Sequence, residues 1–425
     1  MKRSILLSLM MLTVLTSQAQ TLDECCRLAR ENYPEIRQYD LIAETEQYNI
    51  SNAARAWIPQ VVFSGQATYQ SATPTYPEAF NQMIAASGLD MSGVRKDQYK
   101  VAIDVSQNIW DGGQSKANRA IAEAEAAEQR SRVDVSLYDL QSRIQNLYFG
   151  ILLLDERVEQ TETLIEVLDA NLNRMRTYYK NGVAMQSDVD AIEAELLTAR
   201  QTLSQVVASR ASFRRMLEVF IGQPLTDETL TRPAMVEVAS RTSLRPELAM
   251  FDAQSNKLVA QRKAITTSVM PRFSAFAQGY YGYPGLDMFK SMVSSEWTLN
   301  AIVGVRMSWN IGAFYTQKNN LSKLDAAERQ IAIQRDVFLF NTEMQTIQDD
   351  SEIARLQSAL EDDNRIVELR RSVRMAAESR LENGVIDATD LLRKIADETT
   401  ATLSRSTHEI ELLQATYRLK TTLNQ

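Results

Sequence analysis

The chain has 425 residues, of which 54 are acidic and 46 basic, and its formal net charge is −8. This negative balance argues against nucleic-acid binding, which favours a basic surface. The single histidine, the two cysteines and the lack of any HExxH, GxSxG, CxxC or Walker-type motif predict neither an enzyme nor a protein with a cofactor or a metal. Cys25 and Cys26 are sequence neighbours, which rarely bond to each other, so we interpret both as small apolar residues of a helix.

The N-terminus has the pattern of a secretory signal peptide, which we assign to residues 1–19. Lys2 and Arg3 precede an apolar run over 5–15, and small residues at 17–19 suit a cleavage site. A buried N-terminal strand or helix is the alternative, but the basic start and the polar residues that follow favour export. No later apolar stretch approaches the ~20 residues that a membrane-spanning helix needs. We therefore expect an exported protein that does not cross the membrane by helices.

Four short segments alternate apolar and polar residues with the two-residue period of a β-strand. They span 60–70, 98–109, 272–281 and 296–310. Strands of about ten residues with one apolar face are typical of membrane β-barrels, although a soluble sheet packed on one side shows the same alternation. Aromatic residues near the segment ends favour the membrane. The residues that we predict at its interfaces are Trp57, Tyr69, Tyr99, Trp110, Tyr281, Trp297 and Trp309.

Four strands are too few to close a barrel, because the smallest single-chain barrels have about eight. An open strand edge in lipid leaves backbone groups without hydrogen-bond partners. The segments therefore predict an oligomer that shares one barrel and contacts membrane lipid, and the arithmetic alone permits two, three or more chains. The loops over 71–97 and 283–295 each join two strands, so we place both at the extracellular mouth.

Long helices are predicted after each strand pair, because proline is missing after the first pair, and proline and glycine, which both interrupt helices, are missing after the second. No proline lies between Pro77 and Pro224, and no glycine between Gly312 and Gly384. A seven-residue apolar repeat, typical of left-handed coiled coils, follows the first strand pair. Its two series are Leu137, Ile144, Ile151, Val158, Ile165 and Leu172, and Leu140, Leu147, Leu154, Thr161, Leu168 and Met175. A helix over about 114–180 would be roughly 100 Å long at ~1.5 Å per residue.

The helical pattern restarts after Gly182, so the two helices form an antiparallel hairpin. The second half repeats this arrangement, and Gly384 separates its long helix from a last helix over about 387–424. The apolar series of that long helix are Leu324, Ile331 and Phe338, and Ile333, Phe340 and Ile347. We predict that the acidic pairs at 349–350 and 362–363 lie on a solvated helix face rather than in a tunnel.

Landmarks of the first half recur in the second half, which indicates an internal duplication. We predict a first repeat over 20–220, a linker over 221–243 and a second repeat over 244–425. The recurring landmarks are Pro34-Glu35-Ile36 with Pro246-Glu247-Leu248, Trp110-Asp111-Gly112-Gly113 with Trp309-Asn310-Ile311-Gly312, and Asn181-Gly182-Val183 with Asn383-Gly384-Val385.

This order of features resembles the TolC family of outer-membrane efflux proteins. The resemblance lies in the signal peptide, a helix containing Asn32 to Ile36, the strand pair, the Trp110-to-Gly113 turn into a long helix, the hairpin tip and the repetition of the whole. It implies a mixed α and β membrane protein that forms a homotrimer. Four strands per chain would build a 12-stranded transmembrane β-barrel, and the helices a coiled-coil barrel across the periplasm. The resemblance also implies docking to a periplasmic adaptor (membrane fusion protein) and an inner-membrane pump.

The same resemblance places function at the hairpin tips, where the family has a glycine at the turn and an aspartate six residues later. Gly182 with Asp188 and Gly384 with Asp390 fit this pattern. We expect Asp188 to cap a helix, whereas Asp390 is open to both a gate and a cap role. The predicted adaptor-docking residues are Asn181, Gly182, Val183, Asn383, Gly384 and Val385. The predicted gate residues are Asp390, Asp188, Asp387 and Arg393, the last standing where the best-known members have a second gate aspartate.

These inferences predict a passive exit duct of a tripartite efflux or type I secretion system, opened by an iris-like realignment of the hairpins. The alternative is a periplasmic coiled-coil structural or tethering protein with a soluble β cap, and membrane-fraction behaviour separates the two. A diffusion porin is disfavoured, because porin chains close their own barrels and lack long helices.

Overall fold

Helices form most of the described residues, and the strands among them form one sheet. The computed structural model describes residues 21–88, 93–225, 230–238, 240–383 and 385–425. The predicted signal peptide, parts of the predicted linker and Gly384 lie outside the described residues. The helices are α1 (Leu22–Asn32), α2 (Gln38–Arg55), α3 (Glu78–Ala85), α4 (Gln114–Lys180), α5 (Gln186–Ile221), α6 (Pro246–Ser268), α7 (Met288–Val293), α8 (Ala313–Glu382) and α9 (Ala388–Leu423). The strands are β1 (Gln60–Tyr69), β2 (Asp97–Trp110), β3 (Arg272–Tyr283) and β4 (Thr298–Ser308).

The chain divides into two compact units. We call residues up to 39, 131–250 and 334–425 the hairpin unit, and residues 40–130 and 251–333 the sheet unit. Across the described helices, no apolar stretch reaches the length needed to cross a lipid bilayer.

The core of the hairpin unit follows the predicted seven-residue repeat. Ile144 and Ile151 of α4 are fully buried, and they share a cluster with residues of α1, α5 and α9. Cys25 is fully buried in that cluster and Cys26 is half-buried against it, which confirms their interpretation as helix residues. The bounds of α4 agree with the predicted helix over 114–180, because the apolar repeat continues through this range without a proline.

The sheet unit contains a four-stranded antiparallel sheet in the order β1-β2-β3-β4. Its register is regular except for an irregularity in β2 between Asn108 and Trp110. The four predicted strands are confirmed, with β3 extended to Tyr283 and β4 shortened so that Trp297 and Trp309 flank it. The two predicted loops contain the short helices α3 and α7.

One helix boundary differs from the expectation. The residues Asn32 to Ile36 do not lie within a helix, since α1 ends at Asn32 and a 3₁₀ turn begins at Pro34. Tyr33 between them has extended backbone angles of φ −65° and ψ 127°. A residue before proline is pushed out of the α conformation by the proline ring, so the sequence ends the helix here.

Two aspartates that were predicted on a solvated face of α8 are buried. The buried residues of this helix are Thr342, Asp349, Leu356, Asp363 and Ala377. The prediction was wrong for Asp349 and Asp363, which find partners on α9. Arg418 donates to Asp349 at 2.6 Å, and Nδ1 of the His408 ring lies 2.6 Å from a carboxylate oxygen of Asp363. The other members of the two pairs, Asp350 and Asp362, do lie at the surface.

Candidate functional site: the sheet face and the hairpin tips

One face of the sheet is apolar across all four strands. The register aligns Val61, Val105, Ala277 and Val303 in one row, and neighbouring rows continue the pattern. Directly opposed residues of antiparallel strands share a face, so the four predicted apolar series form one surface. Leu299 and Val303 are 82% and 78% exposed. The described part of the chain therefore leaves this surface largely uncovered.

The seven aromatic residues predicted at membrane interfaces separate into two groups at opposite ends of the strands. The rings of Tyr99 and Trp297 stack with centroids 6.1 Å apart, and Tyr281 lies 5.4 Å from Trp297. At the other end, the indole N–H of Trp309 donates to the carbonyl of Val269 at 2.9 Å. An apolar band between two aromatic girdles is the arrangement of membrane barrel strands. The first group is Tyr69, Tyr99, Tyr281 and Trp297, and the second is Trp57, Trp110 and Trp309.

The opposite face of the sheet carries polar and charged side chains. Lys100 donates to Gln278 at 3.0 Å, and Gln278 donates to Asp104. The guanidinium of Arg306 lies 4.7 Å from the ring centroid of Phe276. A cation over an aromatic face is stabilising, which explains how Phe276 fits among polar neighbours. This face is suited to water, whereas the other is suited to lipid.

The sheet has two free edges. Among the described residues, β1 pairs only with β2, and β4 pairs only with β3. Each outer strand therefore presents a row of backbone N–H and C=O groups that another strand can pair with. In lipid these groups need strand partners, because no water is present to satisfy them.

The turn from β2 into α4 is built around Asp111. Gly112 and Gly113 have φ angles of +71° and +88°, which other residues rarely adopt. The Asp111 carboxylate accepts hydrogen bonds from the backbone N–H groups of Gly113 at 2.9 Å and Ser115 at 2.7 Å. Burial alone would raise the pKa of Asp111, but the hydrogen bonds from Ser115 and Gly113 outweigh it and hold the pKa below its ordinary value. Sequence reasoning used Asp111 only as a repeat landmark, although an aspartate just before a long helix is a capping signal.

The first tip joins α4 to α5. Gly182 has a φ of +71°, and the N–H of Val183 donates to the carbonyl of Tyr178 at 2.9 Å, which closes the end of α4. The carboxylate of Asp188 accepts from the backbone N–H of Met185 at 2.9 Å. The predicted capping by Asp188 is confirmed, but it acts from the third helical position, because Met185 occupies the N-cap.

The second tip joins α8 to α9, and its cap is Asp387 rather than Asp390. The Asp387 carboxylate accepts from the backbone N–H of Asp390 at 2.8 Å. The Asp390 carboxylate lies 3.1 Å from the guanidinium of Arg393, and both side chains are exposed. The cap interpretation of Asp390 was therefore wrong. An aspartate three residues before a second acidic residue is a helix-start signal, so the sequence contained the information.

The ends of both hairpins lie together within the hairpin unit. Ala388 of α9 belongs to one apolar cluster with Leu172 of α4 and Val189 of α5. Arg174 of α4 forms an ion pair with Glu382 of α8 at 3.1 Å. The predicted docking residues that the structure describes are all exposed: Asn181, Gly182, Val183, Asn383 and Val385.

Groups suited to catalysis or metal binding are sparse. No set of three or more His, Cys, Asp or Glu side chains is arranged to hold a metal within the described ranges. Burial raises the pKa of the Cys25 thiol to about 12, which keeps it protonated and unreactive at neutral pH. The apolar sheet face and the exposed hairpin tips are the candidate functional surfaces among the described residues.

Part of the chain matches a known protein family, and its fold matches solved structures. The family model described as "Outer membrane efflux protein" matches residues 26–223. No curated protein matches the sequence. Among solved structures, the outer membrane protein VceC of Vibrio cholerae superposes with a TM-score of 0.65 at 14% identity, over 95% of this chain and 94% of that chain.

Two further solved structures share the fold. The CmeC outer membrane channel of Campylobacter jejuni has a TM-score of 0.66 at 10% identity, over 95% of this chain and 85% of that chain. The MtrE outer membrane channel of Neisseria gonorrhoeae, in its open state, has a TM-score of 0.65 at 12% identity, over 95% and 89%. Residues 26–223 are thus similar to the outer membrane efflux protein family, and the chain shares the fold of these three outer membrane proteins.

Proposed function

We propose that three copies of this chain form the passive exit duct of a tripartite efflux or type I secretion system. The observation that carries the proposal is a sheet with an uncovered apolar face and two free edges, joined to helices of up to 70 residues. In lipid such a sheet needs strands from other copies. Helices of this length suit a tunnel across the periplasm, and the polar face of the sheet lines the lumen in the membrane.

The proposed trimer is supported by the number of strands in each chain and by a stripe of exposed apolar residues on α8. Three chains with four strands each supply 12 strands, an even number within the range of closed bacterial barrels. The stripe repeats at three- and four-residue spacing, which places its members on one side of the helix. Phe340 within it is 63% exposed, so the seven-residue series predicted there is free to pack against another copy. The members of the stripe are Ile333, Val337, Phe340, Met344 and Ile347.

The proposed duplication is supported by the order of elements. The series α2-β1-α3-β2-α4-α5 has the same sequence of element types as α6-β3-α7-β4-α8-α9. We therefore retain repeats over 20–220 and 244–425, with the linker over 221–243 between them.

The tips are proposed to dock a periplasmic adaptor, which connects the duct to an inner-membrane pump. Val183 and Val385 are 73% and 69% exposed, and Met185 is also exposed. Apolar side chains exposed at corresponding positions of both hairpins are suited to contacts with another protein. The asparagines beside them, Asn181 and Asn383, supply polar groups at the edge of that contact.

The gate at the tips is proposed to involve Asp390, with Asp188, Asp387 and Arg393 beside it. Three-fold symmetry would bring three copies of Asp390 near one axis, where like charges attract cations. The ion pair with Arg393 offsets part of that charge. We therefore propose a gate with weaker cation attraction than a ring of unpaired carboxylates, opened by realignment of the hairpins.

A pair of variants in β4 tests the duct against the tethering alternative. Val303→Arg places a charge on the apolar face, and Ile302→Arg places the same charge on the opposite, polar face. Arginine facing lipid near the membrane midplane costs about 2–4 kcal/mol, whereas lumen positions tolerate charge. We expect Val303→Arg to deplete the trimer from the outer-membrane fraction, and Ile302→Arg to leave it unchanged. A soluble β cap would instead keep the wild-type chain out of the membrane fraction and make the two variants behave alike.

A further inference from the structure

A cavity of about 680 Å³ lies beside the end of the sheet that carries Trp57 and Trp110. It is lined by residues from α2 and from the first turns of α4, all within the sheet unit. Ile50, Ala54 and Ala120 contribute apolar surface, and both tryptophans line the cavity as well. This volume falls in the range of protein pockets that hold small ligands.

Two cationic side chains of α4, Lys116 and Arg119, line the same cavity. They are three residues apart and so lie on neighbouring positions of one helix side. Lys116 is exposed and has no ion-pair partner in the part of the chain that the structure describes. Arg119 pairs with Glu123 at 2.9 Å.

The cavity also contains two acidic residues, Glu123 and Asp111. Glu123 is the partner of Arg119, and the carboxylate of Asp111 is already engaged by the N–H groups of Gly113 and Ser115. Lys116 is therefore the charge available to a ligand. An anion that also carries an apolar part would satisfy both the free ammonium group and the apolar lining.

We propose that this cavity binds an anionic phospholipid from the inner leaflet of the outer membrane. The inference rests on the proposed function, which places the tryptophan end of the strands at the periplasmic membrane surface. At that level Trp57 and Trp110 flank lipid headgroups, Lys116 meets the phosphate, and the apolar residues of α2 cover the start of an acyl chain. The unpaired lysine favours a headgroup with net negative charge over a zwitterionic one.

Native mass spectrometry of the purified trimer tests the proposal directly. The trimer is mixed with phosphatidylglycerol, phosphatidylcholine or inorganic phosphate. We expect phosphatidylglycerol to remain bound, with up to one molecule per chain, and phosphatidylcholine to be retained more weakly. Equal retention of both lipids overturns the proposal, as does displacement of phosphatidylglycerol by millimolar inorganic phosphate. A trimer that carries no lipid also overturns it while leaving the proposed function intact, whereas failure to form a trimer contradicts the proposed function.

Three variants distinguish lipid binding in the cavity from nonspecific attraction of lipid to surface charge. Lys116→Ala is expected to weaken phosphatidylglycerol binding about five-fold, the usual contribution of one lysine at an anionic membrane surface. Ala120→Phe fills the cavity with the charges intact and is expected to abolish binding. Lys318→Ala removes an exposed lysine near the start of α8 that does not line the cavity, and it is expected to bind as the wild type does. Equal weakening by Lys116→Ala and Lys318→Ala would overturn the proposal.

Discussion

Replacing Asp349 with alanine removes a fully buried carboxylate that joins α8 to α9. It accepts hydrogen bonds from Arg418 at 2.6 Å, from Thr422 at 3.1 Å and from Gln345 at 2.9 Å. Its sequence neighbour Asp350 pairs with Arg241 at 3.0 Å on the surface. Asp349→Ala and Asp350→Ala therefore make the same chemical change one residue apart in two different environments.

The two changes should differ clearly in their effect on stability. Removing one partner of a buried ion pair costs about 3–5 kcal/mol, because the other charge loses its compensation. The side chain of Arg418 is 47% exposed and regains water, so we expect Asp349→Ala to lower the free energy of unfolding by about 3 kcal/mol. Exposed ion pairs contribute about 0–1 kcal/mol, and we expect a loss in that range for Asp350→Ala.

Urea unfolding of the detergent-solubilised protein, followed by helical circular dichroism, measures both losses. The variants are compared at one protomer concentration, because assembly adds a concentration-dependent stabilisation. Equal losses for Asp349→Ala and Asp350→Ala would refute the argument that the buried Asp349 carboxylate anchors α9 on α8 through Arg418.

Phe340→Lys charges the exposed stripe of α8 and is expected to convert the proposed trimer to monomers in size-exclusion chromatography. Asn341→Lys, one position further along, is expected to keep the trimer, and equal assembly of both variants contradicts the stripe as an interface. Arg393→Ala frees Asp390 and is expected to strengthen the block of single-channel current by divalent cations, whereas Asp390→Ala removes it; unchanged block in both variants excludes a gate role. Asp111→Asn is expected to lower the free energy of unfolding by about 1 kcal/mol at pH 7. The folded pKa of Asp111 is depressed, so its stabilisation is present above the unfolded pKa of ~3.9 and is lost as the pH falls through the folded value. A difference from wild type that stays constant with pH would contradict this account.

Periodic patterns predicted most of the fold because each element keeps one period over its whole length. The strand predicted over 60–70 is Gln60–Tyr69, and the helix predicted over 114–180 is Gln114–Lys180. The alternation in the strands also fixed which residues share a face, since a register shift by one residue would exchange the two faces. The interfacial aromatic residues were predicted from their positions near the ends of these strands.

Burial within α8 could not be read from the sequence in the same way. Asp349 and Asp363 lie in acidic pairs that are typical of a solvated surface, and their partners Arg418 and His408 are 69 and 45 residues away. Only the packing of α9 on α8 brings these groups together. The capping of α9 by Asp387 rather than Asp390 could have been predicted, because it depends on a local spacing that is visible in the sequence.

The central claim is that several copies of this chain share one membrane pore. The mass of the particle extracted from outer membranes in mild detergent, measured by native mass spectrometry, tests it most directly. The account predicts three chains per particle. A particle containing a single chain would contradict it, because one four-stranded sheet cannot satisfy its own edges in lipid.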